Sequence, residues 1–332
     1  MKKILILPPM KWYMEANAEY IVRYLSDEFF FEIAQLPYEP YDNFLDRFPN
    51  ESPFLRSPDD YDLIWPLLPT HWQLVHDKYR HKVVSVFYSP NEGDFTGIAA
   101  LGASTPMIEK SLKEGNHKFH SLRFGVDTDL FKPYPMVRED NLLHVGMVGS
   151  LQAPRRLIMD IVPALKDVEG VRLMLFGHMA PRDQKELDEM GGDLKAIVGG
   201  DKWWPGMPNI YNRLDVLLRI DQDPGYAFPV LEAAACGVPS IMTNCGIEHQ
   251  IAKAKAGIMI DGDRQYYIDH AKEVAEKVRE NVIWMRDHPN ERRVMGYNAR
   301  VEVEKNWTWE KYIKNWRRFF REGLNATRKR SV

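Results

Sequence analysis

The chain has 332 residues, 45% hydrophobic and 27% charged, a length that accommodates two ordinary domains and a composition typical of folded globular proteins. The 44 Lys and Arg against 47 Asp and Glu leave a net charge of −3, so the overall charge makes no case for nucleic-acid binding. Its two cysteines, Cys236 and Cys245, make neither a disulfide framework nor a metal-ligand pattern, as expected in a reducing cytosol.

Residues 3–7, KILIL, read as a fully buried strand of the kind that opens a parallel α/β sheet. The apolar run stops at Pro8 and Pro9, too short for a signal peptide or a membrane span. Ala18, Ile21, Val22 and Leu25 recur at helical spacing over 14–27, and residues 37–60, rich in Pro, Asp and Tyr, read as a loop excursion. Strands follow at 62–65, at 83–87 (VVSVF) and from Ala99. A helix over 106–113 and a strand over 118–124 then lead into GVDTDLFKP. A second series begins beyond it: strand 142–148, helix 155–167, strand 171–176, polar helix 183–190 and strand 214–220. GIMI at 257–260 is a further strand, and 266–286 reads as one helix. From Trp309 onward, Trp309, Tyr312, Ile313, Trp316, Phe319 and Phe320 repeat at helix-like spacing. Strand–helix alternation on both sides of residue 135 predicts two doubly wound α/β domains.

The segment GYAFPVLEAAACGVPSIMTN, residues 225–244, carries the sharpest local signal. Pro229 suits the first turn of a helix, and Gly237 with Pro239 ends it. Residues 240–242 then form a short buried strand. Glu232 lies early in that helix, near its positive end, where free N–H groups hold anions.

Five motifs, taken together, resemble the retaining glycosyltransferases of family 4. They are FGVDTDLFKP at 124–133, GMVGSLQAPRR at 146–156, YNRLDVLL at 211–218, the 225–244 segment, and MGYNARVEVEKNWTWE at 295–310. The resemblance covers most of residues 118–310 and is weaker in the N-terminal third. It implies the GT-B fold: two facing Rossmann-like domains, 1–135 on the acceptor side and 136–308 on the nucleotide-sugar side. The C-terminal helix 309–332 would cross back to the first domain.

The same resemblance assigns roles. The helix start at Gly225, Tyr226, Ala227 and Phe228 would face the donor diphosphate, and Glu232 would accept from the ribose hydroxyls, whose two donors match its two oxygens. Arg155 stands where the family has a phosphate-neutralising Lys, with Arg156 beside it. Ser150 replaces the family's other cation. The family's first Glu, eight positions before Glu232, falls on Pro224, leaving Asp223 or Asp221 to reach the sugar. The N-terminal His that contacts the donor sugar is replaced by Tyr88, a poorer proton shuttle. His71 and His76 lie upstream of it, and Glu92 and Asp94 are acceptor-side candidates.

Lys11, Trp12 and Tyr13 follow the first strand where relatives have a Gly-rich loop, and are candidate acceptor contacts. The Asp-x-Asp pairs at 127/129, 221/223 and 261/263 have turn or capping roles in this fold, so no metal and no cofactor is expected. The resemblance thus implies a metal-independent, retaining hexosyltransferase. It would use a UDP- or GDP-sugar and a glycan, lipid-linked glycan or other hydroxyl acceptor. The lost His, Glu and cation also fit a non-catalytic nucleotide- or glycan-binding relative. The basic residues Arg317, Arg318, Arg321, Arg328, Lys329 and Arg330 compare two readings of the tail: a solvated helix face, or a peripheral contact with the inner membrane surface of a cytoplasmic protein.

Overall fold

In a computed structural model the residues described are 1–7, 13–34, 58–67, 75, 77–87, 95–136, 138, 140–149, 151, 157–177, 181–190, 194–197, 206–222, 226–244 and 246–330. They fall into two compact units, Met1–Gly125 with Trp309–Val332, and Val126–Thr308.

The first unit begins with β1 (Lys2–Leu7), α1 (Tyr13–Leu25) and β2 (Phe29–Ile33), then β3 (Leu63–Pro66), β4 (Val84–Phe87), β5 (Ala100–Ala103), α2 (Pro106–Glu114) and β6 (His120–Ser121). Every pairing is parallel, in the orders β2-β1-β3 and β4-β5-β6, with an Ile64–Val83 bridge between the two sets. β1, β3, β4 and β5 are largely buried on both faces, as parallel strands under crossover helices are, while the edge strand β2 exposes Phe30 and Ile33. The strand expected over 118–124 shrinks to two residues, because β6 is an edge that meets β5 only at Gly102 and Ala103. Thr105 caps α2, its Oγ1 accepting from the Ile108 N–H at 3.3 Å.

The second unit runs through β7 (Leu143–Val148), α3 (Ile158–Leu165), β8 (Val171–Phe176), α4 (Pro181–Met190), β9 (Leu194–Ile197), α5 (Met207–Tyr211), β10 (Val216–Arg219), α6 (Phe228–Ala235), β11 (Ser240–Thr243), α7 (Glu248–Lys253) and β12 (Gly257–Ile260). It closes with α8 (Arg264–Asp269), α9 (Ala271–Asp287) and α10 (Pro289–Asn306). The single helix expected over 266–286 is two: Asp263 caps α8 through the Tyr266 N–H at 2.8 Å, and a break at His270 separates it from α9. The strands are all parallel in the order β12-β11-β10-β7-β8-β9, the Rossmann order, which reverses between β7 and β10.

Side-chain alternation in β10 sorts this unit into two layers. Val216, Leu218 and Ile220 join Ile158, Val162 and Val278 in the core beneath α3 and α9. Leu217, Arg219 and Asp221 take the opposite face, where β10 packs on α6 and α6 on α5 and α10. Helix α10 comes unusually close to the turn that ends α6. A β carbon on Gly296 would lie 2.2 Å from the Gly237 carbonyl oxygen, and Gly237 takes φ +74.

The seam falls at Gly125/Val126, where the sequence placed it at 135. Residues 126–136 are held by the second unit: the Val126 N–H donates to Trp307 O at 2.8 Å, and Asn212 Nδ2 donates to Lys132 O at 3.1 Å. Asp127 turns this segment, its Oδ1 accepting from the N–H groups of Asp129 and Leu130.

The last helix, α11 (Trp309–Arg330), belongs to the first unit. Its aromatic face explains why. Trp316 and Phe320 each lie 5.4 Å from the Trp65 ring, Trp309 stacks on Tyr20, and Trp316 Nε1 donates to Arg123 O at 2.9 Å. Gly323 lets the helix approach β4, since a β carbon there would meet Val84 at 2.8 Å. Three of its basic residues are tied up: Arg317 pairs with Asp27 and Glu28, Arg321 with Glu28, and Arg318 with Glu322. Arg328 and Lys329 are exposed.

Candidate functional site

In a doubly wound sheet the crevice for a ligand opens where the strand order reverses, at the carboxyl ends of the strands. Here that point lies between β7 and β10, which pair at Val145–Val216 and Met147–Leu218. β7 ends at Val148 and β10 at Arg219, so the candidate donor segments that follow them in sequence start from neighbouring strands. Glycines crowd this edge: Gly149 has φ +115, and a β carbon on Gly177 would lie 1.7 Å from Gly149 O.

Helix α6 follows β10, which puts its positive end at the same edge. It has no side-chain cap at Ala227. Its first N–H groups are used within the turn, Phe228 to Tyr226 O at 2.9 Å and Val230 to Ala227 O at 3.0 Å, while Pro229 has none. The helix therefore offers an anion its dipole rather than a row of open amides. Tyr226, Ala227 and Phe228 are all buried, with the Tyr226 and Phe228 rings 4.6 Å apart.

Glu232 lies early in α6, just past its first turn. It is 9% exposed, and Tyr211 O–H donates to its Oε2 at 2.5 Å. Burial is the largest influence and pushes the carboxyl up to about 7, while the Tyr211 hydrogen bond acts in the opposite direction. The same burial, reinforced by Glu232, raises the Tyr211 phenol well above its ordinary value. One turn on, burial first and the Glu232 charge second push the Cys236 thiol up to about 12, so Cys236 is an inert core thiol rather than a nucleophile.

Beside this pair lies a charge that the sequence reading passed over. Arg219, 4% exposed, forms an ion pair with Asp221, which is fully buried. The Asp221 N–H donates to Thr243 Oγ1 at 2.9 Å, and the Thr243 hydroxyl donates to Asp221 O at 2.7 Å, tying the ends of β10 and β11 together. A charged residue inside VLLRI was the available sequence signal, because an interior strand admits one only with a partner. Asp221 is thus occupied as a structural partner. Tyr211 was visible only as part of a motif.

Among the predicted site residues, Tyr226, Ala227, Phe228 and Glu232 are brought together around α6. Tyr88, Asp223, Ser150, Arg155, Gly225, Lys11, Trp12 and Glu92 lie outside the described residues. Among the described residues no group of three or more His, Cys, Asp or Glu is placed to hold a metal ion, and no helix is long and apolar enough to cross a membrane.

Comparison with solved structures decides the architecture. Sucrose-phosphate synthase from Thermosynechococcus elongatus superposes with a TM-score of 0.78 over 98% of this chain and 100% of that one, at 14% identity. The fold is GT-B. HepE from Anabaena, in complex with UDP and glucose, gives a TM-score of 0.74 at 14% identity, over 96% of this chain and 99% of that one. Residues 140–280, within the second unit of this GT-B chain, match the family model described as Glycosyl transferases group 1.

Two curated proteins share sequence with the chain. A GDP-mannose-dependent monoacylated alpha-(1-6)-phosphatidylinositol monomannoside mannosyltransferase from Corynebacterium glutamicum is 31% identical over 219 residues, 59% of this chain and 54% of that protein. A trehalose synthase from Pyrococcus horikoshii is 28% identical over 178 residues, 49% of this chain and 40% of that protein. The chain thus spans about half the length of the curated relatives it matches.

Proposed function

We propose that the protein is a retaining glycosyltransferase of family 4, moving a sugar from a UDP- or GDP-sugar to a glycan, lipid-linked glycan or other hydroxyl acceptor. The observation that carries this reading is Glu232: a buried carboxylate behind the positive end of α6, at the edge where the Rossmann order reverses. A nucleotide sugar presents a diphosphate to that helix end and vicinal ribose hydroxyls to the carboxylate. The group 1 family match over residues 140–280 supports the donor role of this unit, and the mannosyltransferase and HepE relatives support GDP and UDP as the nucleotides to try.

In this reading Arg155 neutralises charge on the departing diphosphate and residues 149–153, Ser150 among them, contribute backbone N–H groups, with no metal. Asp223 and Tyr88 line the sugar, and Gly225 through Phe228 form the helix entry. Lys11, Trp12 and Glu92 stand on the acceptor side, N-terminal to the Gly125/Val126 seam. Rate acceleration comes from positioning and from stabilising charge as the glycosidic bond to the diphosphate lengthens. The basic end of α11 offers Arg328 and Lys329 to an anionic surface, a smaller charge than the sequence count implied, because Arg317, Arg318 and Arg321 are paired.

A panel of nucleoside diphosphates tests the donor site by thermal stabilisation. UDP or GDP raises the melting temperature of the wild-type chain and not of Glu232→Ala. No stabilisation by any of them contradicts the donor assignment. Binding without turnover favours the non-catalytic alternative, for which the replacements at Tyr88, Ser150 and Pro224 speak.

A further inference from the structure

Tyr211 ends α5 and is fully buried, its ring 6.0 Å from that of Phe131. The next residue tethers the turn: Asn212 Nδ2 donates to Pro208 O at 2.9 Å and to Lys132 O at 3.1 Å, and its Oδ1 accepts from the Tyr134 N–H at 2.9 Å. The buried phenol aims its one O–H at Glu232 Oε2. Glu232 Oε1 has no hydrogen-bond partner among the described residues.

We infer that Tyr211 is a positioning residue of the ribose site: its hydroxyl fixes Glu232 through Oε2 and leaves Oε1 to accept from the hydroxyls of a nucleotide ribose. The inference rests on the donor reading of Glu232 above. A glutamate side chain is otherwise free to rotate, and holding it beforehand removes that ordering cost from binding. The same hydrogen bond favours the ionised carboxylate, the form that accepts from both ribose hydroxyls.

The other groups around the pair leave this role to Tyr211. Cys236, on the same helix, is a neutral thiol, with Arg300 of α10 near it. Arg219 of β10 lies near Tyr211 and is matched by Asp221. Among the described residues, Tyr211 is the side chain that donates to Glu232.

The test measures the affinity of UDP, GDP and inorganic pyrophosphate on both sides of pH 7, near the value to which Glu232 is raised. Ribonucleotide affinity of the wild-type chain rises with pH through this region. Tyr211→Phe weakens it about tenfold at neutral pH and moves the rise to higher pH. Pyrophosphate, which has no ribose, binds both proteins alike. In a Glu232→Gln background Tyr211→Phe causes no further loss, and a loss there overturns the inference even where the single variant does not fold. A wild-type pH profile in Tyr211→Phe, an equal loss for pyrophosphate, or the same loss in the Glu232→Gln background overturns the inference. Unchanged ribonucleotide binding in Glu232→Ala overturns the donor reading itself, and this inference with it.

Discussion

Arg300 Nη1 donates to Ala235 O and to Phe131 O, each at 2.6 Å, and so locks the end of α6 to the segment that enters the second unit. Its other terminal nitrogen reaches Thr128 O at 3.1 Å. The 295–310 motif is thereby explained in part: Gly296 brings α10 against the Gly237 turn, and Arg300 satisfies carbonyls that helix ends leave open. Arg300→Ala is expected to destabilise the protein by about 2–3 kcal/mol, with Arg300→Lys recovering only part of it, by chemical denaturation.

Glu232 sets a pH dependence of stability whose sign is fixed by burial. Its carboxyl is raised from 4.5 to about 7, so the native state keeps a proton that the unfolded chain has released between those values. That contribution is fully present below pH 4.5 and is lost as pH rises through about 7. The loss is about 3 kcal/mol on this group alone. Denaturation midpoints measured across the window fall with rising pH in the wild-type chain and flatten in Glu232→Gln.

Gly177→Ala tests the crowded edge of the sheet. The added methyl has a backbone atom, Gly149 O, in its way at 1.7 Å, so the loop after β7 must shift. The expected result is a destabilisation of about 1–3 kcal/mol and a loss of nucleotide diphosphate affinity larger than Gly146→Ala causes. In Gly146→Ala the methyl meets the Leu214 side chain instead. Calorimetric titration of both variants makes the comparison.

These residues also mark what the sequence made legible. Apolar strands such as 3–7 and 171–176 could be read directly, because parallel strands buried on both faces leave continuous hydrophobic runs. β2 (FFFEI) has no clean alternation, and α5 spans only five residues, too short for a periodic signal. Glu232 stood out as a charge in an alanine-rich helix. Its partner Tyr211 depends on a contact across the fold that no local pattern encodes, whereas Arg219 inside VLLRI signals a buried partner without naming it.

Trp316 is the hub of the α11 contact with the first unit. It is fully buried, 5.1 Å from the Phe124 ring and 5.4 Å from that of Trp65. Trp316→Ala is expected to cost about 3–5 kcal/mol, the range for deleting a buried aromatic side chain, as a shift in the denaturant midpoint. Arg318→Ala, whose ion pair with Glu322 is exposed, changes stability far less.

The most direct measurement of the central claim incubates the protein with UDP- and GDP-sugars and candidate acceptors, following nucleoside diphosphate release and the anomeric configuration of the product by NMR. The account predicts nucleoside diphosphate release, a product with the donor's configuration, and loss of both in Glu232→Ala. Nucleotide binding with no sugar transfer to any acceptor and no donor hydrolysis, or a product of inverted configuration, contradicts it.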